Sequence, residues 1–404
     1  MRSLLPIIAA ADNFPAHPGR FPTSHPLTSE RYVPFHLTFS DHQRGLAPVG
    51  LLRPDVLAEM LADERDAETC PWQFHHVAVP VAPLDKSADS GASHRATPGG
   101  GSGDRMDVED EELELQVECV FLADWVVRGG KETMGRVMNE TAVRWRDAGK
   151  FSDALGGWRD EHYAIYADPS SSALPARSAS TSSSAGASTD GQTMSNAAFP
   201  LERAACAVFG LATFGVHMTA YEGDGEGMKI WVPRRSATKA TFPSKLDQTF
   251  TPTRADPCSQ SVAGGIVAGM TPFETLVKEC DEEASLPESL VRSRAKFNGV
   301  VTYFYITPGG YLQPGKYTYD LQLPPSDSEE YVRPHEHDDE VESFALLTIP
   351  QVVEALHAGE FKPNCGLILV DFLIRHGLVT PENEPNLLEI RWRTARRLGV
   401  AMPA

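Results

Sequence analysis

The order of apolar periods along this chain predicts an α/β (α+β) protein: a three-layer α/β/α sandwich preceded by a smaller α+β domain. Three observations carry that prediction. Residues 213–221 and 228–233 read as strands joined by the turn Gly223-Asp224-Gly225-Glu226-Gly227, a hairpin signal. Strand-like runs follow at 300–306, 316–323 and 340–348. Two helical stretches, 272–284 and 365–376, supply the layers that wrap those strands.

Residues 1–11 are apolar enough to suggest a signal peptide, but the run is short and broken by Pro6. It passes straight into Asp12-Asn13-Phe14-Pro15, so a first helix is expected. A helix over 53–61 has Pro54 near its start. Residues 114–127 alternate like a strand. Residues 132–147 form an amphipathic helix with Met134, Val137, Met138 and Val143 inward, and 163–166 a short strand. Segments 85–107 and 169–195 are dominated by Ser, Ala, Gly and Thr. They hold too little apolar surface to offset ordering entropy and are expected as disordered, mobile inserts.

In the second half, 316–323 alternates Tyr317, Tyr319, Leu321 and Leu323, after the turn Thr307-Pro308-Gly309-Gly310. A helix runs from Pro350 to near Gly359, and 365–376 is a buried helix closed by Gly377. Residues 387–398, with Arg391, Arg393, Arg396 and Arg397, read as a basic helix that packs on the rest. The expected division is an N-terminal α+β domain at 1–200, a second domain at 201–382, and a C-terminal helix and tail at 383–404.

The 404 residues suffice for two domains, and 55 acidic against 36 basic residues give a net charge of −19. Such a surface repels nucleic acid, which is excluded as a partner. No apolar run approaches the ~18 residues that span a membrane. The six cysteines are scattered without a Cys-x-x-Cys pair, which excludes zinc ribbons and redox dithiols and suits a reducing, cytoplasmic setting. No obligate protein partner is evident.

The helix at 272–284 carries the chemistry. Glu279, Glu282 and Glu283 stand at i, i+3 and i+4 and share one face within a turn. Carboxylates this close repel one another unless a cation lies among them, and hard divalent ions such as Mg²⁺ prefer oxygen ligands. The competing reading is an acidic, solvated face. Upstream, Ala263-Gly264-Gly265-Ile266-Val267-Ala268-Gly269 offers a backbone able to approach a ligand closely. Gly264 stands five residues before Met270, and seven more precede Lys278-Glu279-Cys280-Asp281-Glu282-Glu283-Ala284-Ser285-Leu286.

This pattern resembles the Nudix box of hydrolases that cleave a diphosphate linked to another moiety. All three metal-binding glutamates are present, whereas Met270 replaces a glutamate, Lys278 the arginine and Ser285 the closing glycine. An ammonium does not form the bidentate fork of a guanidinium. Further stretches are similar to the thiamine pyrophosphokinase-related Nudix family of fungi and plants: Phe209-Gly210, 213–218, 231–239, 243–247, Tyr319-Asp320-Leu321, 340–344 and 371–378. The resemblance implies a Nudix α/β/α sandwich with a mixed sheet over 201–382, after a family-specific N-terminal domain. It implies a diphosphatase that cuts thiamine diphosphate, and more readily its oxidised forms, to the monophosphate. The cofactor implied is Mg²⁺, with Mn²⁺ able to substitute. Glu279 and Glu283 become direct ligands, and Glu282 a ligand or an outer partner.

A diphosphate resists hydrolysis because its oxygens repel a nucleophile; a bound metal neutralises them and acidifies water. The general base is expected in Glu279 or in a later glutamate, with Glu340 or Glu342 suitably placed. Arg234, Arg235 and Lys239 are candidates to grip a phosphate, against the alternative of a solvated loop, and Gly264 and Gly265 to approach it. His335-Glu336-His337-Asp338-Asp339 lacks zinc spacing and reads as a polar loop. Phe214, Tyr221, Trp231, Tyr303 and Tyr319 are mostly core. A small diphosphate is the expected partner. Hydrolysis of nucleoside-diphosphate-linked compounds such as ADP-ribose, or a catalytically silent binding module, are the alternative readings.

Overall fold

The computed structural model describes residues 2–14, 30–63, 70–80, 113–175, 195–238, 242–248, 266, 268–306, 312–335 and 341–404. Helix α1 (Leu5–Ala11) opens the chain with proline in its first turn. The backbone N–H of Leu4, at its start, donates to Glu384 Oε2 at 2.6 Å, tying the N-terminus to the C-terminal region. A four-stranded sheet follows: β1 (Val33–His36), β2 (Gly50–Leu52), β3 (Trp72–Pro80) and β4 (Leu113–Leu122), ordered β2-β1-β4-β3. Helices α2 (Phe39–Gln43), α3 (Pro54–Asp63), α4 (Asp124–Arg128), α5 (Gly130–Asp147) and α6 (Ser152–Leu155) accompany it. Strands β5 (His162–Tyr166) and β6 (Ala197–Glu202) pair antiparallel and lead to α7 (Arg203–Val208). One apolar cluster from Val33 to Leu211 binds this part, centred on Trp72, Trp145, Phe199 and Phe209. Trp145 stacks on Phe209 with ring centroids 5.3 Å apart.

The second sheet contains β7 (Gly215–Glu222), β8 (Lys229–Arg235), β9 (Ala295–Ile306), β10 (Leu312–Gln322) and β11 (Val341–Thr348), ordered β11-β8-β7-β10-β9. β7 and β10 run parallel and the other neighbours antiparallel, so the sheet is mixed, as expected. Helices α8 (Pro272–Ala284), α9 (Glu288–Arg294), α10 (Ile349–His357), α11 (Pro363–Arg375) and α12 (Leu387–Thr394) complete the fold. The two-residue period of the strands divides their side chains between two cores. Val216, Met218, Ala220, Trp231, Phe304, Tyr319 and Leu321 pack with Leu276 and Cys280 of α8. Ile230, Val232, Val301 and Tyr303 pack with Leu367 to Leu373 of α11 and with Leu4 and Ile8 of α1. Both faces of this sheet are therefore covered, which is the α/β/α sandwich.

Several local expectations are corrected. The strand expected over 114–127 ends at Leu122; Asp124, in the first turn of α4, starts a helix whose Val126 is buried. Val143 is half-buried rather than core. The terminal helix stops at Thr394, and Arg396 beyond it donates to Asp12 Oδ1 at 2.7 Å. The insert expected from residue 169 is ordered at its start: Ser171 Oγ donates to the buried Asp41 Oδ2 at 2.6 Å. Residues 176–194 and the whole of 85–107 lie outside the described residues. Strand β6 crosses the expected division at 200/201, its cluster continues to Leu211, and α1 packs with the second sheet. Among the described residues no helix is long and apolar enough to cross a membrane.

The two sheets meet at Gly210, which has φ +60°, and a Cβ there would stand 2.0 Å from the carbonyl oxygen of Leu51. Gly149 is also left-handed, at φ +71°, but faces open space. Gly210→Ala is expected to cost on the order of 3 kcal/mol, and Gly149→Ala only about 1 kcal/mol. Urea denaturation followed by circular dichroism compares them. Equal losses would mean that backbone conformation, rather than collision with Leu51, sets the cost.

Candidate active site

Local sequence sets both ends of α8. Thr271 caps its start by accepting the N–H of Glu274 at 3.1 Å, and proline occupies the first turn. Ser285 ends it in the left-handed region at φ 53°, with its N–H on Asp281 O at 3.1 Å. The Leu286 N–H reaches back to Cys280 O at 3.1 Å, completing the C-terminal turn that a glycine usually makes. Leu276, Val277, Cys280 and Ala284 face the core. Glu274 is taken up by both guanidinium nitrogens of Arg292, at 3.0 and 2.6 Å.

The three glutamates divide. Glu283 is buried, Glu279 half-buried and Glu282 exposed. Glu282 turns to Lys278, with Nζ and Oε2 3.5 Å apart. Among the described residues no three acidic, histidine or cysteine side chains are gathered closely enough to hold a metal ion. Glu279 and Glu283 stand one turn apart, and Glu282 lies beside Lys278. By donor type the pair fits a hard divalent ion.

Glu283 looks onto a buried polar cluster at the end of the sheet. Its charge is felt by Arg235 and by Lys362, both almost wholly buried. Arg235 Nη1 donates to Asp247 Oδ2 at 2.6 Å, and the Cys365 thiol donates to Asp247 Oδ1 at 2.7 Å. Burial alone would raise the Asp247 carboxyl, but the Lys362 ammonium and the Arg235 guanidinium overcome it and hold it well below the usual carboxylate range. Backbone pairing builds this arrangement: Arg235 N–H bonds Lys245 O, and Lys362 N–H bonds Leu246 O. On the adjoining strands His217 Nδ1 meets Gln248 Oε1 at 2.7 Å, and Gln248 Nε2 donates to Thr219 Oγ1 at 2.5 Å. Lys316 on β10 is buried beside them.

Other expected site residues fall as follows. Arg234 is half-buried and donates to Ser244 O at 2.8 Å, while Arg235 is engaged by Asp247. Lys239, Gly264, Gly265 and Glu340 lie outside the described residues, as do residues 336–339 of the polar run. His335 is described, and its N–H donates to Ala284 O at 3.3 Å, so that run leaves from the end of α8. Glu342 is exposed on β11, whose Val341 and Ser343 pair with Arg235 and Arg234. Met270 is half-buried after Gly269, which has φ +99°. Phe214, Trp231, Tyr303 and Tyr319 are core, and Tyr221 packs edge-on against Phe372. Asp247, Lys362, Lys316, His217 and Gln248 were not foreseen as site residues. The signal was available: polar residues alternate with Tyr317 and Tyr319 on a strand that a largely apolar helix must cover.

Asp247→Asn would leave two buried cations facing no carboxylate there, and is expected to destabilise the fold by about 3–5 kcal/mol. An acid held low stabilises above its unfolded pKa, near 3.9, and loses that contribution as pH falls through the folded value. Thermal melts of both forms should therefore converge only below about pH 4; a constant gap down to pH 2 would remove the ionic account. Ser285→Gly relieves a left-handed serine and is expected to stabilise by about 0.5–1 kcal/mol. A lowered melting temperature in that variant would show the serine side chain to be needed.

No protein-family model matches the chain. It is 37% identical over 258 residues to the uncharacterized protein YJR142W of Saccharomyces cerevisiae, covering 60% of this chain and 62% of that protein. It is 39% identical over 187 residues to Nudix hydrolase 20, chloroplastic, of Arabidopsis thaliana, covering 46% and 45%. Nudix hydrolase 24, chloroplastic, of the same plant is 38% identical over 194 residues, covering 48% of each chain. The chain thus spans between about half and just under two thirds of the length of these relatives. With its mixed-sheet sandwich and glutamate-bearing helix, the chain is similar to these Nudix hydrolases over about half of its length.

Proposed function

We propose that this protein hydrolyses the phosphoanhydride bond of a small diphosphate, using Glu279, Glu282 and Glu283. The observation that carries this reading is the buried Glu283, one turn after Glu279, facing the cations of Arg235 and Lys362. A buried carboxylate beside buried cations is a costly arrangement, and such groups concentrate at functional sites. A divalent ion, Mg²⁺ with Mn²⁺ as substitute, would be held by Glu279 and Glu283, and by Glu282 once it leaves Lys278. When bound, it supplies neutralisation of the diphosphate oxygens and a more acidic water.

The chain's own groups do the rest. Water attacks the terminal phosphorus, the bridging P–O bond breaks, and the water's proton passes to a carboxylate; Glu279, half-buried, is our choice of base, with Glu340 as the second. Arg234, Lys239 and the backbone at Gly264 and Gly265 would orient the phosphates. Arg235 acts through Asp247 rather than as a free clamp. The similarity of 231–239, 243–247, 340–344 and 371–378 to thiamine pyrophosphokinase-related Nudix proteins supports thiamine diphosphate and its oxidised analogues as substrates, giving monophosphate and phosphate.

Phosphate release from thiamine diphosphate, its oxidised analogues and ADP-ribose, with and without Mg²⁺, tests this directly. Thiamine-type diphosphates should turn over only with metal. Glu283→Gln should lower kcat at least a hundredfold, or roughly 2.7 kcal/mol, while the melting temperature moves little. Retained turnover in that variant would remove the proposed site, and preference for ADP-ribose would remove the proposed substrate.

A further inference from the structure

The buried cluster beside Glu283 has more in it than the box chemistry uses. Lys362 is 1% exposed and His217 0%, and neither the Lys362 ammonium nor His217 Nε2 has a hydrogen-bond partner among the described residues. His217 lies in the electrostatic field of Lys316, Asp247 and Lys362. Buried polar atoms are nearly always satisfied, so two orphans in one place call for a partner that arrives from outside.

The charge around them is one-sided. Arg235, Lys316 and Lys362 are buried basic groups, with burial pushing both lysines down; the buried carboxylates near them are Asp247 and Glu283. Lys362 also stands at the N-cap of α11, a thirteen-residue helix whose start has no side-chain cap. The unpaired N–H groups there add positive potential. An open cavity of about 330 Å³ has Lys362, Pro363 and Gly366 in its wall and Arg2 and Lys245 among its lining.

We propose that Lys362, His217 and Lys316, at the start of α11, form an oxyanion subsite that takes one phosphoryl group. The anion accepts from Lys362 and Lys316, and a protonated phosphate oxygen donates to His217 Nε2. That nitrogen carries a lone pair because Nδ1 donates to Gln248 Oε1, whose amide nitrogen is committed to Thr219. Burial, with Lys316 adding to it, pushes the His217 ring down to about 3, which keeps it an acceptor at neutral pH. The inference rests on the diphosphate reading for the natural source of the anion, either the substrate's own phosphoryl group or released phosphate.

The test uses the full chain in EDTA, so that no metal bridges ligand to Glu279 or Glu283. Orthophosphate and pyrophosphate are titrated calorimetrically against chloride at matched ionic strength. Wild type should bind orthophosphate saturably, and about as tightly as pyrophosphate, which marks a site for a single phosphoryl group. Lys362→Met should weaken orthophosphate at least tenfold and His217→Gln at least threefold. If Lys362→Met does not fold, the uncharged exchange at His217 decides. No specific orthophosphate binding by wild type, or unchanged binding in His217→Gln and in a folded Lys362→Met, overturns the subsite. So does binding of pyrophosphate alone with an affinity that Glu283→Gln abolishes, since the anion then belongs to the box. Because no turnover is measured, failure here is distinct from failure of the hydrolase reading, which turns on Glu283→Gln kinetics.

Discussion

One carboxylate organises the interior of this protein. Asp247 receives the Arg235 guanidinium at 2.6 Å and the Cys365 thiol at 2.7 Å, and lies in the field of the Lys362 ammonium. These residues come from the end of β8, the segment after it and the start of α11. No apolar contact could join the three so specifically, because each brings a polar group into a place without water. A buried cation is tolerable only beside an anion. Asp247 is that anion, and Arg235 and Lys362 also feel the charge of Glu283 on α8.

The same arrangement explains why both faces of the second sheet must be closed. With α8 on one side and α11 on the other, β7 and β10 have no solvent face. Residues such as His217, Thr219, Lys316 and Thr318, which alternate with the apolar core of α8, are sealed under α11 instead. The N-terminal part contributes to that closure. Ala268, in the approach to α8, bonds His162 O of β5 at 3.0 Å, and Ile266 bonds Phe214 O at 2.9 Å. The loop that leads into the glutamate helix therefore rests on a strand of the first half.

Much of this was legible in the sequence. The limits of α8 follow from Thr271, Pro272 and the polar break after Ala284, and the structure agrees with them to the residue. The hairpin of β7 and β8 follows from five turn residues between two apolar runs, and pairs Tyr221 with Ile230. The strand end at Leu122 was not legible, because Trp125 and Val126 continue the apolar pattern after Asp124 has begun a helix. Nor was the polar cluster: single-strand alternation says which residues share a face, but whether water or a helix covers that face depends on a segment some fifty residues away. The position of Glu282 was hidden for a related reason. Helical spacing puts it beside Glu279 and Glu283, and only side-chain charge balance turns it to Lys278.

The departures from the Nudix box gain a physical sense in this frame. Lys278 precedes Glu282 by four residues, the weaker order for a helical ion pair, and a single ammonium holds a carboxylate less rigidly than a guanidinium fork. Glu282 is thus restrained lightly. Ser285 keeps the left-handed turn that a glycine would adopt without strain, and the Leu286 bond to Cys280 shows the turn intact. Both changes loosen the bracing that the box makes within itself. Glu283 also acts electrostatically on Arg235 and Lys362, which belong to elements outside the box. Residues of the layer behind the box helix thus place their charge within reach of its buried glutamate. A weakened motif and an unusually charged interior are then two sides of one arrangement.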